Sequence, residues 1–212
     1  MKRNLNTIAW ILIIIGILLS TIFFVSFNKN FYKYEYHKYQ QAENIGMSEE
    51  DLMNSTNTLL DYIKGDRDDI VVEAEVNGIT QEVFNKRETL HMVDVKNLYQ
   101  GASVWRYIFL ISGILLLVIN RKEDLLYSYK RALIYVSIFL AFISIYAVSD
   151  FDSFWVNFHY LFFDNDLFFL DPNTSIMINM FPSNFFFELV ALIIVILLVI
   201  LFGIYFILRR KK

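Results

Sequence analysis

The chain has no cysteine, which excludes disulfides, a thiol nucleophile, a thiolate metal site and an acylated cysteine anchor. Charge is scarce, with 19% Asp, Glu, Lys and Arg against the roughly one quarter of an ordinary soluble domain. The net charge of −3 gives no basic surface for nucleic acid, so no nucleic-acid partner is expected. Proline occurs twice in 212 residues. No glycine-rich phosphate loop and no G-x-S-x-G nucleophile elbow occurs. The three histidines show no i, i+4 pairing of the kind that holds a metal, so neither a metal nor another cofactor is expected.

Apolar and aromatic residues fill the space this leaves. The chain is 56% hydrophobic and contains 21 phenylalanines. A bilayer core is crossed by a helix of about 20 apolar residues. Four segments meet that need: 7–27, 104–120, 132–148 and 189–208. A signal peptide would explain the first, but its apolar run is too long and no small-x-small cleavage site follows. Helix is the form such segments take, because lipid offers no water to an open backbone group.

Basic residues give the expected orientation. Lys2 and Arg3 precede the first span, Arg121, Lys122, Lys130 and Arg131 lie between spans two and three, and Arg209, Arg210, Lys211 and Lys212 end the chain. Residues 132–208 contain no Lys or Arg. The positive-inside rule then puts 1–6, 121–131 and 209–212 in the cytoplasm, and 28–103 and 149–188 outside. The expected protein is a multi-pass protein of the cell membrane, mainly α. It has four transmembrane helices, a small α+β extracytoplasmic domain between spans one and two, and an aromatic interfacial or re-entrant segment before span four.

Within 28–103, the alternation of Tyr32, Tyr34 and Tyr36 predicts a strand. Ser48 followed by Glu49, Glu50 and Asp51 predicts a capped helix start, with Gly65 as its stop. Val72, Ala74 and Val76 predict a strand running into an Asn77-Gly78 turn. A helix is expected from about Asn85 to Tyr99, with Gly101 loosening the join to span two. On that helix His91 has Glu88 one turn before it and Asp94 one turn after, a spacing that lets a carboxylate orient an imidazole. A solvated helix with a surface histidine is the plainer alternative. His37, without a carboxylate at helical spacing, reads as structural or solvent-facing.

Residues 149–188 hold eleven of the phenylalanines, and His159 among them. So aromatic and interrupted a stretch belongs in the interfacial zone, where ionisable groups are candidate functional residues. That reasoning raises His159 and the aspartates Asp164, Asp166 and Asp171; the alternative is an aromatic anchor with an incidental histidine.

Two stretches carry a family resemblance. Arg87-Glu88-x-x-His91-Met92-x-Asp94-Val95-Lys96 precedes span two. Phe158-His159-x-Leu161-Phe162-Phe163, then Asp171-Pro172 and Phe181-Pro182, precede span four. With these motifs and four spans, the chain resembles the bacterial lipoprotein intramolecular transacylases (Lit). It departs at Asp164-Asn165-Asp166, where Gly-Asp before an aromatic residue is expected.

The resemblance implies an enzyme of the outer leaflet whose partners are membrane lipid and diacylglyceryl-modified bacterial lipoproteins. It would move the sn-2 acyl chain to the α-amino group of the lipoprotein's N-terminal cysteine, giving the lyso form. His91 and His159 are then the catalytic candidates, without a covalent acyl-enzyme. Glu88, Asp94, Asp164, Asp166 and Asp171 are supporting residues. Arg106 joins them as a group that would hold negative charge, although snorkelling toward the interface also explains it. A non-enzymatic envelope sensor or accessory protein, and a hydrolase releasing free fatty acid, are the competing functions.

Overall fold

The computed structural model describes residues 2–120 and 124–210, with side chains from Asn4 onward. Arg121, Lys122, Lys211 and Lys212, and the side chains of Lys2 and Arg3, on which the orientation argument draws, lie outside the described residues. The element order is α1 (Lys2–Ser26), α2 (Lys29–Lys38), α3 (Gln41–Ile45), α4 (Glu49–Lys64), β1 (Glu73–Val76), β2 (Ile79–Glu82), α5 (Lys86–Ile119), α6 (Leu125–Ser149), α7 (Phe151–Phe162), α8 (Ile176–Met180) and α9 (Ser183–Arg210). They form two compact units. A bundle unit takes residues up to 26, 102–154 and from 189; the second unit takes 27–101 and 155–188.

The bundle unit is built from α1, α5, α6 and α9, four helices long and apolar enough to cross a membrane. Its core is narrow. Trp10, Ile13, Ile14, Tyr129, Ala132, Leu197 and Leu201 pack together at its centre. The Trp10 and Tyr129 rings meet edge to face at 4.8 Å. The Tyr129 hydroxyl, fully buried, donates to the Leu201 carbonyl at 2.7 Å. Leaving that hydroxyl unpaired would cost about 1–3 kcal/mol. Gly113 lets α5 approach α1 closely: a Cβ there would come within 2.8 Å of the Ala9 carbonyl oxygen. Small residues at the contact are the usual device for packing helices in lipid. Around this seam large apolar side chains face outward, among them Phe142 (71% exposed) and Val199 (67%). Such a surface is unfavourable in water and neutral in hydrocarbon. The protein is therefore a multi-pass membrane protein.

α5 has 34 residues and, at the rise of an α-helix, a length of about 50 Å, well beyond a bilayer core of about 30 Å. Its charged residues, from Lys86 to Lys96, all precede Tyr99, apart from Arg106. The apolar part from 104 onward is long enough to cross a bilayer core, and the charged first turns are not part of that apolar stretch. At Gly101, where a loosened join is expected, the helix continues without a break, because one interior glycine costs only about 1 kcal/mol against a long hydrogen-bonded ladder.

In the second unit, the tyrosine alternation is helical, correcting the strand expected there. Phe31, Tyr32, Glu35 and Tyr36 form the buried face of α2, whereas Tyr34 is 62% exposed. The period-2 tyrosines coexist with an i, i+4, i+5 pattern, and Asn28 caps the helix by accepting from the Asn30 amide. Phe185 of α9 packs against Phe31, Tyr32 and Tyr36. The other local expectations hold. Ser48 caps α4 by accepting from the Asp51 amide at 3.0 Å, and the helix ends at Gly65. β1 and β2 pair antiparallel with Val76 opposite Ile79, through an Asn77-Gly78 turn whose φ values of 53° and 81° suit those two residues. Ala74 and Val76 face the core of this unit.

Candidate active site

The second unit brings His91 and His159 together, although 68 positions separate them in the chain. His91 lies in the first half of α5 and His159 near the end of α7. Their ring centroids are 5.8 Å apart and the planes are inclined by 35°. Aromatic rings enclose the pair. Phe163 meets His91 edge-on at 5.5 Å, Phe168 stacks on His159 at 4.8 Å, and Trp155 meets His159 edge-on at 5.1 Å.

The surroundings set the protonation chemistry. Nδ1 of His159 lies 2.7 Å from the Trp155 carbonyl oxygen. A carbonyl only accepts, so Nδ1 carries the proton and Nε2 keeps its lone pair. His91 is 7% exposed, and its Nδ1 has no hydrogen-bond partner among the described residues. Burial pushes His91 down to about 4; His159 and Arg87 add to the effect and Asp94 opposes it. Burial also lowers His159, against the pull of its bond to the Trp155 carbonyl. Both imidazoles are neutral at pH 7 and hold a free lone pair, the form a base requires.

The carboxylates take distinct places. Glu88 is fully buried and accepts from the Asn85 amide (2.5 Å), the Ser175 hydroxyl (2.5 Å) and the Met177 amide (3.0 Å). It thereby fastens the 175–177 segment to α5, one turn before His91. Asp94 is half-buried, acts electrostatically on His91 and accepts from Asn165 Nδ2 at 2.9 Å. Asp166 is exposed and pairs with Arg87 at 3.3 Å. Asp164 is exposed. Asp171 is exposed and accepts from the Asn173 amide and side chain, closing the turn before α8. Arg106 belongs to the bundle unit, where its guanidinium lies 4.5 Å from the ring centres of both Phe23 and Tyr107. His37 is exposed.

Sequence reasoning passed over Ser175 and Asn165, and gave Arg87, quoted in the first motif, no role of its own. Arg87 donates to the carbonyls of Phe169 (3.0 Å) and Asp166, pinning the loop after α7. Ser175 supplies the buried hydroxyl on Glu88, and Asn165 holds Asp94. Their partners lie 71 to 87 positions away, so no local spacing marks them. No group of three metal-ligating side chains gathers among the described residues.

Four helices fit to cross a membrane, with a histidine pair in the α+β unit of which His91 is buried and His159 half-buried, define a polytopic membrane protein with a candidate acid–base site. The particular family follows from the sequence match. Residues 7–186 fit the family model of the lipoprotein intramolecular transacylase Lit, and the chain belongs to that family. Three solved structures of Lit from Bacillus cereus share the fold. One is 21% identical, with a TM-score of 0.77, covering 100% of this chain and 97% of that one. Two forms in which one histidine is replaced, by arginine or by alanine, give TM-scores of 0.74 at 21% and 20% identity. They cover 100% of this chain and 93% and 95% of theirs. No curated protein matches the chain. By that family the protein is a lipoprotein transacylase of the membrane.

Proposed function

We propose that the chain transfers the sn-2 acyl group of a diacylglyceryl lipoprotein to the α-amino group of the same lipoprotein's N-terminal cysteine, with His91 as the proton-accepting base. The observation that carries this reading is the pair of neutral imidazoles 5.8 Å apart in an aromatic enclosure, one with a buried, unpartnered nitrogen. Donor and acceptor already belong to one molecule. The site therefore has mainly to hold amine against ester, a proximity effect that reaches about 7–11 kcal/mol in favourable cases.

The amine nitrogen attacks the ester carbonyl carbon, forming the new C–N bond as the C–O bond to the glycerol breaks. The amine proton passes to His91. An imidazolium in so buried a place is short-lived, so the proton moves on to the departing glycerol oxygen. The enzyme ends as it began, with no acyl group on the protein and no free fatty acid. Asp94 stabilises the transient imidazolium, and Nε2 of His159 accepts from a hydroxyl or amine of the substrate. Asp166, paired with Arg87, and Asp171, which closes the turn before α8, act on loop geometry rather than on the substrate.

The same reading places both termini inside, 28–103 and 149–188 outside, and the site at the outer leaflet, where acyl chains stay in lipid while the head reacts. The absence of native cysteine makes this directly testable. A single cysteine at exposed Glu43 should react with a membrane-impermeant maleimide in intact cells, and one at exposed Tyr127 should not; the reverse pattern would overturn the orientation.

The test of function is mass spectrometry of a diacylglyceryl lipoprotein incubated with the wild-type protein, His91→Asn and His159→Asn. Transfer leaves the substrate mass unchanged while moving one acyl chain onto nitrogen. Loss of an acyl group to water would mean hydrolysis, and full transfer by both variants would end the role of the histidine pair.

A further inference from the structure

A second titratable cluster lies away from the histidines, between α2 and the start of α9. Glu35 sits on the buried face of α2 at 2% exposure, and neither of its carboxylate oxygens has a hydrogen-bond partner among the described residues. An isolated, ionised carboxylate in such a place costs several kcal/mol, and buried acids usually escape that cost by keeping a proton. Among the charged groups around it, Glu188 acts on Glu35 most strongly. The Glu188 carboxylate accepts from Lys38 Nζ at 2.5 Å and from the Tyr39 hydroxyl, one turn along α2 from Glu35. Glu188 is thereby held ionised by two donors and has lone pairs left. Glu35 has no donor except a proton of its own.

We propose that Glu35 is a protonated carboxylic acid in the folded protein and donates to the Glu188 carboxylate, an acid–carboxylate pair that clamps α2 to the start of α9. The electrostatics agree: burial first, then the neighbouring Glu188 charge, push Glu35 up from 4.5 to about 7, with Lys38 opposing. The other titratable groups in this contact are Tyr32 and Tyr36, neutral phenols on the same face of α2. Among the elements packed on α2, α4 presents the Thr56 hydroxyl, bonded to Tyr36 at 2.8 Å, and α3 has Glu43 exposed. Because the folded-state pKa lies above the ordinary value, the clamp is complete below about 4.5 and is lost as pH rises through about 7.

The clamp has a target. The segment from 175 to 188 is tied by Glu88 at its beginning, by Gln41 donating to the Asn179 carbonyl in its middle, and by Glu188 at its end. Glu88 lies one turn from His91. Glu35 and Glu188 are thus positioning residues for the loop beside the histidine pair, a consequence that rests on the function proposed above. The shared proton itself does not.

Infrared spectroscopy of the full chain in lipid tests the proton without any activity assay. Wild type should show a carboxylic-acid carbonyl band at mildly acidic pH that titrates away with a midpoint near 7, and Glu35→Gln should lack it. Hydrogen exchange of 176–188 should quicken with rising pH in wild type. In Glu35→Gln, whose amide still donates to Glu188 but does not titrate, it should not change. Should Glu35→Gln fail to fold, Glu188→Gln removes the neighbouring charge and should lower the midpoint of the band. No band in wild type, a band kept by Glu35→Gln, or a midpoint unmoved by Glu188→Gln overturns the pair. Exchange that ignores pH in wild type overturns the clamp.

Discussion

The two units of this chain solve opposite problems. In the bundle unit the apolar surface faces outward, and the most apolar window of each crossing helix is between 6% and 39% buried. Its core is a seam of seven residues, and its key polar contact is one hydroxyl on one carbonyl. In the second unit the interior holds Glu35, Glu88, His91, Ser55 and Thr56 among aromatic rings. Lipid as solvent lets the bundle leave its hydrophobic residues outside, so its contacts serve only to hold helices together. The second unit has buried ionisable groups, each of which must be paired, neutralised or used.

That contrast can be broken at several points, and the expected effects descend in size. His91→Asn should lower acyl transfer by about 10²- to 10⁴-fold, the range for a lost proton-transfer group, and His159→Asn should also lower it. Neither should alter thermal unfolding of the bundle; transfer by mass spectrometry and unfolding by intrinsic fluorescence read the two separately. A bundle that unfolds with the histidine variants would show that the units are not independent.

Glu88→Ala leaves the Ser175 hydroxyl and the Asn85 and Met177 amides without their acceptor. We expect a local loss of about 3 kcal/mol, seen as faster hydrogen exchange over 171–188 and little change in α6. Tyr129→Phe probes the bundle in the same way, by deleting its hydroxyl while leaving the Leu201 carbonyl behind. A loss of about 1 kcal/mol is expected, read in the bundle's unfolding and absent from 171–188.

The smallest effect is the sharpest in sign. His91 is lowered from 6.5 to about 4, so its contribution to stability is present above 6.5 and lost as pH falls through 4. Glu35 is raised, so its contribution runs the other way, present below 4.5 and lost as pH rises through about 7. The second unit should be least stable at both ends of this range. His91→Asn should remove part of the acid limb only, and Glu35→Gln part of the alkaline limb only. Thermal unfolding across pH checks both. Because His91 is already neutral at pH 7, the rise of the transfer rate with pH should follow the substrate amine, near 8, instead of an imidazole.

Some of this was written locally in the chain. Ser48 and Gly65 bracket α4 through contacts within one turn, and Asn77-Gly78 sets the hairpin through backbone angles those residues adopt without strain. Other local signals misled. Tyr32, Tyr34 and Tyr36 fit a strand as well as a helix, and packing against Phe185 decided for the helix. Gly101 falls where the two units divide, yet α5 passes through it unbroken, because one glycine costs little against a continuous hydrogen-bonded ladder. The histidine motifs were visible as motifs, but nothing in the spacing showed that Ser175 and Met177 would occupy Glu88.

The sequence by itself determined that four segments are apolar and long enough to cross a membrane, and which histidines stand beside carboxylates or aromatic rings. Run length, capping and turn chemistry are properties of neighbouring residues, and the chain carries them before it folds. Only the tertiary structure decided that His91 meets His159, that Glu88 holds a distant loop and that the Glu188 charge acts on Glu35. Those contacts join residues 68 to 153 positions apart, and at that separation packing alone selects a partner.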